Sequence, residues 1–319
     1  LLLTVASFKG GEELPRCRFV KGGGEGELPK FTSIGFTIGF IFCVLWMVEH
    51  VLRRIFLSIQ HLYPLLGDET KRNILARSIG VNMLGTFTVA CLGWKSRHVL
   101  EQVWNATVQV LWKRRMTAEL RTQMNKIEVV PSLTKAYETR LFKYHPEAAH
   151  IAVFFISYQC KNLVDSIIWK DSPLLIVHHI LCIFSIGRGL LFGILQFYAI
   201  FYCGISELST AILVVLVMFD SDQTSKWGGQ GVSGLGDAFP LVRTVLGPIF
   251  ALSYFMIRIV FWGILTYYCF QDVWQAFQDN HTELHYSRRL FLYLNSLTLV
   301  FFTLLQIIWL FEIFKILFE

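Results

Sequence analysis

The stretch SPLLIVHHILCIFSIG, Ser172 to Gly187, places two adjacent histidines in an otherwise apolar run. A run of this kind is a core element of a soluble protein or part of a membrane span, and composition separates the two. The chain is 54% hydrophobic and only 16% charged, against about a quarter charged in soluble domains. Its mean hydropathy is +0.50. Together these point to an integral membrane protein.

Six further apolar runs agree: Phe31–Val48, Ser78–Trp94 (extended back by Asn73–Arg77), Ala148–Trp169, Leu190–Phe219, Thr244–Phe270 and Leu290–Phe311, the last continuing toward Leu317. A bilayer core takes about 20 helical residues. Lipid offers backbone groups no partners, and the runs lack the alternation of barrel strands, so they are read as helices. The expected fold is all-α, a polytopic bundle of about seven transmembrane helices. The histidine run is short, so Gly187-Arg188-Gly189 is read as a tight turn into the next helix. Residues 1–30 read as a flexible arm, 31–51 as an extra helix, and 71–317 as the main bundle with a long basic loop at 95–146.

Within that loop, Leu100, Val103, Trp104, Val108 and Leu111 recur at helical spacing beside Lys113-Arg114-Arg115. Trp94–Glu128 therefore reads as an amphipathic helix, lying on the membrane or on another protein. Gly229, Gly231 and Gly234 formally match GxGxxG, but a membrane helix precedes them and Pro240 follows, so no nucleotide site is inferred. His281 and His285 read as a surface patch. The net charge of +6 sits near apolar segments and suits headgroups, with no nucleic-acid partner implied. Lys and Arg concentrate on the side of the N-terminal arm, which the positive-inside rule would place inside. Sequons at Asn105 and Asn280 lie on that same side and would reverse the orientation if glycosylated. Cys43, Cys91, Cys160, Cys182, Cys203 and Cys269 lie in apolar spans without a CxxC, so they read as small hydrophobes.

Ionisable residues inside membrane helices face the bundle interior and mark candidate sites. Here they are Lys161, Asp165, His178, His179, Glu207 and Arg258. Lys161 and Asp165 are four apart and share a helix face, so they are expected to pair. Glu207 and Arg258 fall at matching depths, about 18 Å from the same side at 1.5 Å per residue, so a buried pair is expected. His178 and His179 point about 100° apart around a helix. That spacing suits one histidine facing the centre and one bonding a neighbour, and it does not suit a metal. No metal and no cofactor are expected. A neutral histidine serves as base or nucleophile, or as hydrogen-bonded packing.

Taken in order, the paired histidines, Asp165 on the preceding helix, SELST at Ser206–Thr210, Asn295 and LQIIWLFEIFK at Leu305–Lys315 resemble the TLC-domain membrane proteins over Lys71 to Lys315. That family includes ceramide synthases, a cargo receptor and lipid-composition regulators. The resemblance implies a six-helix lipid-facing domain preceded by one helix. In the synthases the histidines serve acyl transfer from acyl-CoA, alongside an aspartate pair. Here Glu207 stands in that region, and Asp220 and Asp222 come later, so the chain resembles the non-synthase branch. Two functions follow. One is the binding or handling of acyl lipids, with acyl-CoA-dependent transfer as its enzymatic form. His178 and His179 would then be catalytic, oriented by Asp165 or Glu207, with Lys161, Arg258, Asn295, Lys113, Arg114 and Arg115 as lipid-binding candidates. The alternative is an accessory subunit among other membrane subunits. The resemblance favours the endoplasmic reticulum. A chain opening on Leu1 leaves a cleaved presequence, and so a mitochondrial or plastid inner membrane, as the other expectation.

Overall fold

The computed structural model describes residues 31–101, 137–219, 231–278 and 286–318. Seven helices in it are long and apolar enough to cross a membrane. They are α1 (Phe31–Ser58), α2 (Glu69–Lys95), α4 (Pro146–Ile168), α5 (Pro173–Phe192), α6 (Gln196–Met218), α7 (Pro240–Gln278) and α8 (Tyr286–Phe318), with a short α3 (Tyr137–Phe142) before α4. The chain is thus a helical membrane bundle, as the apolar runs imply. Lys113, Arg114, Arg115, Asn105, Asn280, Asp220, Asp222, Gly229, His281 and His285 lie outside the described residues.

Local chemistry sets the helix ends. Asp68 caps α2, its Oδ1 accepting the Thr70 N–H at 2.8 Å. Pro146, Pro173 and Pro240 open α4, α5 and α7, where a missing N–H costs nothing. One expectation fails here. Gly187-Arg188-Gly189 is not a turn: α5 runs through it to Phe192. The reversal comes at Gly193, whose φ of 62° closes the helix, and the Ile194 N–H returns to the Gly189 carbonyl at 3.1 Å. The span is therefore 20 residues long and needs no help from its neighbour.

The central helices are α2 and α4, each 61% buried over its apolar window, whereas α5 and α8 are 22% buried and α1 17%. At the centre, Gly93 of α2 lies against Gly204 of α6; a Cβ on Gly93 would come within 2.6 Å of the Gly204 backbone. Such small-residue contacts bring membrane helices close. Three helices carry π-helical turns: Ser78–Met83 in α2, Ile200–Ile205 in α6 and Phe255–Phe261 in α7. Each adjoins or contains a buried charge, respectively Arg77, Glu207 and Arg258. Wide turns of this kind re-aim side chains and recur at functional sites.

Candidate functional site

Three sets of buried charge cross the bundle. In the first, Lys161 is 1% exposed and donates to Asp165 at 2.6 Å and to Glu49 of α1 at 2.6 Å. Glu49 also accepts from Arg53. Arg77 of α2 donates to Asp171 at 2.7 Å and stands 3.7 Å from Asp165. Three cations thus meet three anions, joining α1, α2, α4 and the α4–α5 turn. The Lys161–Asp165 pair follows from i, i+4 spacing. Glu49, Arg77 and Asp171 were not singled out from sequence, because lateral pairing between helices leaves no mark in a single chain.

The second set is the expected Glu207–Arg258 pair. Arg258 Nη2 donates to Glu207 Oε1 at 3.0 Å and to Thr210 at 2.6 Å, and Nε donates to Ser209 at 3.1 Å. The SELST run therefore supplies three of the groups around one guanidinium. The third set lies toward the other end of the bundle: Arg140 of α3 makes a bidentate bond to Asp272 of α7 at 2.7 and 2.6 Å, and the Tyr198 hydroxyl joins Asp272 at 2.5 Å.

The histidines diverge as their spacing requires. His179 faces α4, its Nδ1–H donating to Gln159 Oε1 at 2.5 Å. His178 faces α8, with ring centroids 5.3 Å from Phe302 and 5.9 Å from Trp309. Its Nε2 lies 3.6 Å from Cys182 Sγ, and its Nδ1 is buried without a partner. His179 is thus held by a neutral amide, while Asp165 is held by Lys161 and Arg77 and Glu207 by Arg258.

Two cavities meet at this point. One, of about 110 Å³, runs from His178 toward Gln196 and Tyr198, walled by α5 and by Asn295, Leu299 and Phe302 of α8. The other, of about 140 Å³, runs the opposite way past His179, Arg77 and Leu213. His178, Glu207, Arg258 and Gln306 line both. Asn295 is buried in the first wall with its Nδ2 unpartnered. Lys161 lines neither cavity and is occupied by its two carboxylates.

No curated protein and no solved structure matches the chain. The family model described as the TLC domain, of the TRAM, LAG1 and CLN8 type, matches residues 110–315. That match covers α3 to α8, both histidines, Asp165, the SELST run, Arg258 and Asn295, and leaves α1 and α2 before it. Seven membrane-spanning helices, a paired-histidine helix against a charged centre and a match over more than half the chain make this protein a member of the TLC-domain membrane protein family.

Proposed function

We propose that the chain binds an acyl lipid, with the acyl chain in the cavity between α5 and α8 and its carbonyl at His178 and the Glu207–Arg258 pair. The observation that carries this reading is that His178 lines both cavities where they join. Dimensions support it. From His178 to Leu190, both on the first cavity's wall, twelve helical residues span about 18 Å. One leaflet of a roughly 30 Å hydrocarbon core is about 15 Å deep, so the wall between these two residues runs about the depth of one leaflet. Arg258 brings guanidinium donors to a carbonyl or oxyanion in a low-dielectric setting.

In the enzymatic form of this reading, His178 is the general base. With Nε2–H donating to Cys182, Nδ1 keeps a lone pair that takes the proton of an attacking amine or hydroxyl. The acyl–sulfur bond of acyl-CoA then breaks as the new amide or ester forms, and the coenzyme A thiolate leaves as the thiol with the proton that His178 returns. His179, held by Gln159, positions the helix. The endoplasmic reticulum is the membrane this reading favours.

The test is native mass spectrometry of the protein from its own membrane, followed by transfer assays with labelled acyl-CoA and a sphingoid base or lysolipid acceptor. The expected result is a retained acyl lipid and transfer that falls at least about a hundredfold in His178→Ala, the usual weight of a general base. Lipid retention with no transfer in any acceptor series would reduce the reading to binding alone. Release only in fixed stoichiometry with other subunits, and empty of lipid, would replace it with an accessory role.

A further inference from the structure

Five cations are buried in the described residues: Arg77, Arg140, Lys161, Arg188 and Arg258. Four of them hold a carboxylate: Asp171, Asp272, Glu49 with Asp165, and Glu207. Arg188 is the exception. It is 5% exposed, its Nε donates to the Phe184 carbonyl one turn back at 3.2 Å, and its Nη1 has no partner. The guanidinium lies 3.8 Å from the Phe184 ring centroid and 5.9 Å from that of Phe291. A phenyl face returns only part of what removing a guanidinium from water costs. The site is short of one negative charge.

Its position says what could bring that charge. Antiparallel packing of α5 and α8 is fixed by Phe192 against Phe291, with ring centroids 3.7 Å apart, and by His178 against Phe302. Four residues back from Phe192 is Arg188, and four residues on from Phe291 is Asn295. The two stand at one depth across the seam, and Asn295 Nδ2 is likewise buried without a partner. Both unfilled groups are donors. The Arg188 backbone is about 6 Å inside the end of α5, from where a long cationic side chain can extend to the headgroup level. The seam joins two of the least buried helices, and Phe184 and Leu297 expose their side chains along it. Basic pockets between membrane helices at this level take acidic headgroups.

We infer that the α5–α8 seam at Arg188 and Asn295 binds the phosphate of an anionic phospholipid, whose acyl chains lie along the lipid-facing side of the seam. Phe184 covers the guanidinium and swings toward lipid when the phosphate arrives. The phosphate then takes charge-assisted bonds from Arg188 and one bond from the Asn295 amide. Asn295 also lines the first cavity, so the site adjoins it, and its headgroup preference is independent of what fills that cavity.

The test is competition in nanodiscs of equimolar phosphatidylglycerol and phosphatidylcholine, read by native mass spectrometry of the released full chain. Wild-type protein is expected to retain phosphatidylglycerol about tenfold over phosphatidylcholine, a free-energy difference typical of one added charge-assisted contact. Arg188→Gln is expected to bring the ratio to about one. Phe184→Ala removes the ring that covers the guanidinium and is expected to widen the wild-type preference. No preference in wild type, or the same preference in Arg188→Gln, overturns the inference. If Arg188→Gln does not fold, an unchanged ratio in Phe184→Ala overturns it. Retention of an acyl lipid regardless of headgroup charge would overturn this inference and leave the cavity reading standing.

Discussion

Lys161→Met is expected to lose about 3–5 kcal/mol of stability, the usual cost of removing one partner from a buried ion pair. In a thermal melt in mild detergent this appears as a fall of roughly 10 °C. The reason lies in the charge balance of the α1–α2–α4 set. Lys161 holds Glu49 and Asp165 together, and removing it leaves one uncompensated negative charge out of water. The same balance predicts a rescue. In Lys161→Met/Asp165→Asn the set returns to neutrality, and every remaining charge keeps a partner: Glu49 with Arg53, and Arg77 with Asp171. The double variant is therefore expected to recover more than half of the loss. A double variant no more stable than the single would mean that packing around the lysine, and not its charge, holds these helices.

Where sequence and structure agree, the signal is one-dimensional. Apolar runs of sufficient length fix the spans, i, i+4 spacing fixes Lys161–Asp165, and depth counted from helix ends fixes Glu207–Arg258. The divergence of His178 and His179 follows from 100° per residue. What escaped depends on which helices become neighbours. Glu49 falls inside the helix read over 31–51 but just past the apolar run that ends at Val48, and only the packing of α1 on α4 shows that it meets Lys161. Gln159 carries no charge and so stood out from nothing, yet it holds His179. The misplaced turn has a similar origin. Two glycines around Arg188 look like a break, but a membrane helix tolerates glycine, and of Gly187, Gly189 and Gly193 only Gly193 takes the left-handed conformation that ends a helix. Arg140–Asp272 joins residues outside the apolar runs, where a charge raises no question until the fold buries it.

The contact that sets the site's geometry carries no charge, and it gives the second large effect. Gly93→Ala would place a Cβ 2.5 Å from the Ile205 nitrogen and 2.6 Å from the Gly204 Cα. These are backbone atoms of the π-helical turn Ile200–Ile205, which is followed by Ser206 and then Glu207. They have no rotamer to change, so α2 and α6 must move apart. Overpacking of this kind costs about 1–3 kcal/mol or more, and here the strain falls on the turn that aims Glu207 at Arg258. Gly93→Ala is thus expected to lower both the melting temperature and the retention of any cavity lipid. Gly187→Ala is the matched control, because nothing lies within 4 Å of its Cβ and α5 is helical there. It is expected to gain about 0.5–1 kcal/mol, as glycine does on replacement within a helix. A Gly93→Ala protein that melts with the wild type would show that α2 and α6 do not meet at these glycines. The wide turn before Glu207 would then owe its shape to α7 and the arginine it carries.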